Sequence, residues 1–248
     1  MSRKISSYPW VLVLLIFLFS GLSQGQTDSS RPSTASARVM YKNLVINLTE
    51  QVDSEGSIDR EFRRGSEILY RSRIQPLNQG FVLQVSAGHP SQLGTLRLDR
   101  QRLSVVDSQG QPLWSEELTK PLCLPEFAPE FVKAHWEHVA LGREPLACGA
   151  PIIKARKVAP VEWVRLPDGP RGERVVELRP GSFGMRFFLI PTRFTFSADG
   201  MTLLTQDGQF DTTPDPKASP SYVKGNASYT VTRKAQTWPV ERFGPLAR

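Results

Sequence analysis

Apolar residues recur at every second position through much of this chain, in short runs broken by glycine, proline, asparagine and aspartate, and that rhythm predicts an antiparallel β protein. The first strand is read over residues 39–49, with Met40, Leu44, Ile46 and Leu48 forming its apolar side. A charged, turn-rich segment follows through Gly56 and Gly65. Strands are then predicted over 67–74, 80–86, 94–99 and 102–106, ended by turn residues such as Asp107-Ser108-Gln109-Gly110. The pattern resumes over 152–158, 161–166, 174–178, 185–190, 192–197 and 201–206, with turns at Asp168-Gly169 and Asp199-Gly200, and a last strand over 228–232. Three prolines within 211–220 make that stretch a loop, and the tail beyond it reads as irregular.

The period changes once. Residues 129–141, PEFVKAHWEHVAL, place Val132, Trp136, Val139 and Ala140 on one side of a helix and Glu130, Lys133 and Glu137 on the other, with a stop at Gly142. The fold class expected is therefore mostly β with one main helix: a curved, half-barrel-like antiparallel sheet packed on that helix, as a single domain over 38–248. Residues 185–196 carry large apolar groups on both faces, including Phe187, Phe188 and Phe194. Such a strand is either central in a two-layer core or has one face on the helix and the other on a cavity.

The first twenty-five residues depart from this rhythm. Arg3 and Lys4 precede an unbroken apolar run from Trp10 to Phe19, and Ser23-Gln24-Gly25 closes it with small residues, the layout of a secretory signal peptide cleaved after Gly25. The run covers about half of the roughly 20 residues that a spanning helix needs, so a retained anchor is the weaker reading and the mature protein is expected to have no membrane span. No cysteine lies at the boundary to accept a lipid. Residues 26–37 are polar and rich in serine and threonine, read as a disordered leader. The expected location is periplasmic or secreted.

Two cysteines, Cys123 and Cys148, flank the helix, and in an oxidising compartment they read as one disulfide. The mature part keeps a net charge of about +5, spread thinly. That argues against nucleic-acid binding, which concentrates Lys and Arg on one face. Asn47-Leu48-Thr49 and Asn226-Ala227-Ser228 fit the N-glycosylation pattern, which matters only in a eukaryotic host.

Candidate chemistry is sparse. His135 and His138 stand three apart on the helix, within reach of one metal ion, but the HWEH string lacks the H-E-x-x-H geometry and no third ligand adjoins it. The carboxylates Glu126, Glu130, Glu137, Glu162 and Glu177 fall at positions typical of exposed faces or turns. The basic run Lys154, Arg156 and Lys157 is placed on strands beside the helix. No nucleophile elbow or phosphate loop occurs, so neither a cofactor nor a catalytic residue is assigned.

The order Phe131-Val132-Lys133, Trp136, Gly142, Pro151, Arg174-Val175-Val176, Pro180, Phe188, Pro191 and Asp199-Gly200-Met201-Thr202-Leu203-Leu204 before Gly208 resembles a group of secreted bacterial β proteins. These are in turn similar to half-barrel periplasmic domains of the lipoprotein-carrier type. The likeness spans roughly residues 120–210. It implies a curved antiparallel sheet with a helix against its concave side and carries no catalytic residues. The leading expectation is a non-enzymatic envelope protein that binds a lipid, acyl chain or other hydrophobic ligand. Phe131, Trp136, Phe187, Phe188 and Phe194 would line the site, with Lys154 and Arg156 near a polar headgroup. Two alternatives stay open: an assembly factor binding an envelope protein through a sheet edge, and a hydrolase with an unrecognised site, starting from His135 and His138.

Overall fold

The computed structural model describes residues 33–41, 44–88, 93–142, 144–182, 189–210 and 223–245. The segment expected to be a signal peptide, residues 26–32 of the expected leader, the stretch 211–220 expected to be a loop, and residues 185–188 of the strand expected over 185–190 lie outside them. Among the described residues no helix is long and apolar enough to cross a membrane.

The strands form one antiparallel sheet that is curved but not closed. From β1 (Ser33–Tyr41) the chain runs outward as a meander through β2 (Leu44–Val52), β3 (Ile58–Arg64), β4 (Glu67–Leu77), β5 (Gly80–Ala87), β6 (Gly94–Asp99), β7 (Arg102–Asp107) and β8 (Pro112–Glu117). It then crosses the interior as a 3-10 turn, Pro125–Phe127, and two short helices, α1 (Ala128–Ala134) and α2 (Trp136–Val139). It re-enters at the opposite edge as β9 (Leu146–Ile152). From there β10 (Lys157–Arg165), β11 (Arg174–Pro180), β12 (Thr192–Phe196), β13 (Thr202–Phe210) and β14 (Val223–Lys234) step back until β14 pairs with β1. The first and last strands are thus neighbours at the centre of the sheet, and strands consecutive in the chain, β8 and β9, are its two edges.

Curvature brings those edges together. Leu122 makes a parallel bridge to Gly149, with the Cys123 amide donating to the Gly149 carbonyl at 2.7 Å and the Gly149 amide to the Pro121 carbonyl at 2.8 Å. The Cys123–Cys148 disulfide, with Cα atoms 5.9 Å apart, lies across this seam. It joins the segment entering the helices to β9.

Several expectations are corrected. Residues 39–49 are two strands of a hairpin: burial falls on odd positions in β1 (Ala35, Ala37, Val39) and even ones in β2 (Ile46, Leu48, Val52), so Met40 faces outward. The two parities, joined across Tyr41 and Leu44, imitate one alternating run. β1 starts at Ser33, inside the expected leader, because small Ala35 and Ala37 fit the interior and the backbone pairs with β2. The charged stretch after Gly56 holds β3, whose outward side carries Asp59, Glu61 and Arg63. β8 and β9 were not foreseen. Residues 153–156 are a 3-10 turn ending in left-handed Arg156 (φ 50°) and not strand. The helix breaks at His135, where a short α2 begins, and the tail holds a further 3-10 turn, Val240–Phe243.

The core fills the concave side. Phe127 and Phe131 meet Phe243, at ring separations of 5.4 and 5.1 Å, and Phe81 and Trp163 pack on them from opposite halves of the sheet. A second cluster, Phe62, Tyr70 and Phe210, sits under β1–β4 and β13.

Candidate functional site

Two features stand out inside the curl: an apolar cavity of about 180 Å³ and a cluster of buried charges beside it. The cavity lies where the sheet halves approach. Inward positions of β5, β6 and β7 (Leu83, Leu96, Val105) form one wall, and Val161, Leu178 and Leu189 form the other. The segment entering the helices, with Cys123, Leu124 and Glu126, closes the bottom. Its walls come from both edges because the seam is spanned by backbone and the disulfide, not by a continuous ladder. Polar side chains also line it, among them Tyr70, Thr192 and Glu126, with Tyr70 Oη donating to Glu126 Oε1 at 3.4 Å.

Glu130, on α1, was expected on the solvent side of the helix but is fully buried, and Glu126 is nearly so. A curved sheet surrounds a central helix on more than one side, so a polar side chain there needs a partner from the sheet. Arg233 of β14 supplies it, gripping Glu130 through two hydrogen bonds of 2.8 and 2.9 Å, while the Gln236 amide adds a third at 3.0 Å. Arg233 Nε also stands 3.1 Å from Glu50 of β2, and Arg60 of β3 stands 2.8 Å from the other Glu50 oxygen; both contacts are close in distance but not aligned as hydrogen bonds. The Tyr229 hydroxyl donates to Glu50 at 3.1 Å.

Electrostatics follow from this packing. Burial works against the charge on Arg233, yet Glu130 and Glu50 outweigh it and hold the guanidinium protonated more firmly than usual. The same balance, led by Glu50, raises Arg60. Burial, reinforced by Glu50, pushes the Tyr229 phenol up and keeps it a neutral donor.

The residues singled out from sequence are distributed differently. Phe131 and Phe194 are fully buried against Trp163, at 5.8 and 5.3 Å, and belong to the core and not to the cavity wall. Trp136 is half-buried and lies against Gly200. Arg156 is exposed at its turn, the side chain of Lys154 lies outside the described residues, and so do Phe187 and Phe188. The cavity wall was missed although most of its strands were read correctly, because alternation shows which side of a strand faces inward but not where the two edges meet. His135 is buried, its Nδ1 3.0 Å from the Phe131 carbonyl, whereas His138 is exposed, so the pair does not face one space. Burial pushes the His135 imidazole below its usual range, the hydrogen bond to Phe131 works the other way, and His138 adds to the lowering. Among the described residues no group of three His, Cys, Asp or Glu side chains is placed to hold a metal ion. Edge strand β8 exposes Ser115, Glu116 and Glu117, and the two carboxylates blunt edge-to-edge pairing.

Comparison with protein-family models, with curated proteins and with solved structures finds no match to this chain.

Proposed function

We propose that this protein binds a small hydrophobic ligand, or the end of a single acyl chain, in the cavity between the two sheet edges, as a non-enzymatic carrier of the cell envelope. The observation that carries the reading is the cavity itself: about 180 Å³ of apolar space beside a core otherwise filled by aliphatic side chains and aromatic rings. The cavity is partly open to solvent, which gives a ligand a way in, and an apolar space of about 150 Å³ suffices to take benzene. The volume suits one chain end or ring, not a whole multi-chain lipid. The disulfide favours an oxidising compartment, in keeping with a signal peptide over residues 1–25.

The test is native mass spectrometry of the mature protein purified from its own envelope, followed by organic extraction. A stoichiometric apolar compound, absent from a Leu96→Trp variant that keeps the wild-type melting curve, supports the reading. A clean apo mass, together with no thermal shift on adding fatty acids, alcohols or alkanes of increasing length, removes it.

A further inference from the structure

The outer face of the sheet is mostly laced with ion pairs. Glu61 bridges Arg63 and Arg71, and Arg73 joins Asp53 and Asp59. The end of the β1–β2 hairpin departs from that pattern. Met40 and Val45, 48% and 45% exposed, stand directly opposite each other across the two strands. These are the two most exposed large hydrophobic side chains among the described residues. Exposed Arg38 lies two residues back along β1, and exposed Lys224 lies on β14 diagonally across from Met40, which is itself opposite Asn226. Neither cation has an ion-pair partner among the described residues. The acid nearest in register is Asp207, opposite Asn226 on β13, one strand further out.

We propose that this hairpin end is a docking surface for an anionic phospholipid bilayer. An apolar pair stabilises a contact by leaving water, and flanking cations add attraction to negative headgroups, worth about a fewfold to tenfold in affinity for each charge near the surface. The pair sits on the convex side of the sheet and offers no groove, which suits a flat bilayer better than a peptide segment. The overall excess of positive charge, about +5 for the mature part, acts in the same direction at long range. The surface lies on the opposite side of the sheet from the cavity, and the inference does not depend on what the cavity holds.

Cosedimentation of the mature protein with phosphatidylcholine vesicles, with and without phosphatidylglycerol, tests it. Binding should require the anionic lipid and weaken in high salt. It should fall by about tenfold or more in Arg38→Glu/Lys224→Glu and in Met40→Ser/Val45→Ser. Circular dichroism and melting curves would check that both variants fold, the serine pair being chosen as mild for an exposed strand face. Failure of the wild type to sediment with anionic vesicles, or equal binding by the serine variant, overturns the proposal. So does a dimer, seen by light scattering, that the serine variant dissolves without any vesicle binding, since the occupant would then be a second copy of this chain.

Discussion

Glu130 shows how much one position depends on its surroundings. A carboxylate buried on a helix would be costly alone, but the two-pronged contact with Arg233 and the Gln236 amide satisfies it and fixes α1 to β14. Removing one partner strands the other. Glu130→Met and Arg233→Met are each expected to lose about 3 kcal/mol or more in urea unfolding. Combining Glu130→Met with Arg233→Met should cost less than the two single changes summed, the mark of direct coupling in a double-mutant cycle. Gly200 is a second sensitive position. Its φ of +72° disfavours any side chain, and a Cβ there would stand 2.2 Å from the Trp136 ring. Gly200→Ala should destabilise by about 1–3 kcal/mol, and Gly200→Ala with Trp136→Leu should recover part of that loss. His135 gives a pH signature. Its folded-state pKa lies below the unfolded value of 6.5, so the unfolded chain takes up the proton first as pH falls. Stability from this residue is complete above 6.5 and declines as pH drops through that value; the carboxylates held low, Asp53, Glu61, Glu173 and Asp199, lose theirs only below their own, lower range. The difference in unfolding free energy between wild type and His135→Gln should therefore narrow with acidification from about pH 7 to 5.

Among the elements, the connection from β8 to β9 carries the most consequence. Its disulfide spans a sequence separation of 25 and pins the path into the helices against β9. Reducing the disulfide should lower stability by about 3 kcal/mol on the chain-entropy argument, and replacing both cysteines with alanine should shift the unfolding midpoint in the same direction. Single strands were legible where one parity faced water, as in β5, β6 and β7, whose expected and observed bounds nearly coincide. They were not where parity switched at a hairpin, as between β1 and β2, or where charged side chains occupied the outer face of a real strand, as in β3. The break at His135 was also hidden, because both helical pieces keep buried residues at helical spacing: Phe131 and Val132 before it, Val139 after it.

For the whole molecule, topology sets which parts are secure. The centre of the sheet, β1 and β14, is paired on both sides, whereas β8 has a ladder on one side only. Amide hydrogen exchange should be slowest in β1, β2 and the described part of β14 and fastest in β8; slow exchange throughout β8 would indicate a covered edge. The same layout places the cavity where the edges converge, the position at which a bound ligand would contact both halves of the sheet at once.

What the chain determined by itself was therefore local: β strands from alternation, a helical stretch between the cysteines from a change of period, turns from Asp-Gly and Pro, and a disulfide from an even cysteine count. Each rests on interactions between residues close in sequence or on chain chemistry alone. Tertiary structure decided the rest. It put β1 beside β14, buried Glu130 against Arg233, sent Phe131 and Phe194 into the core, and opened a cavity between Leu96 and Leu178, because those outcomes depend on contacts between segments far apart in the chain whose meeting only the curvature of the sheet sets.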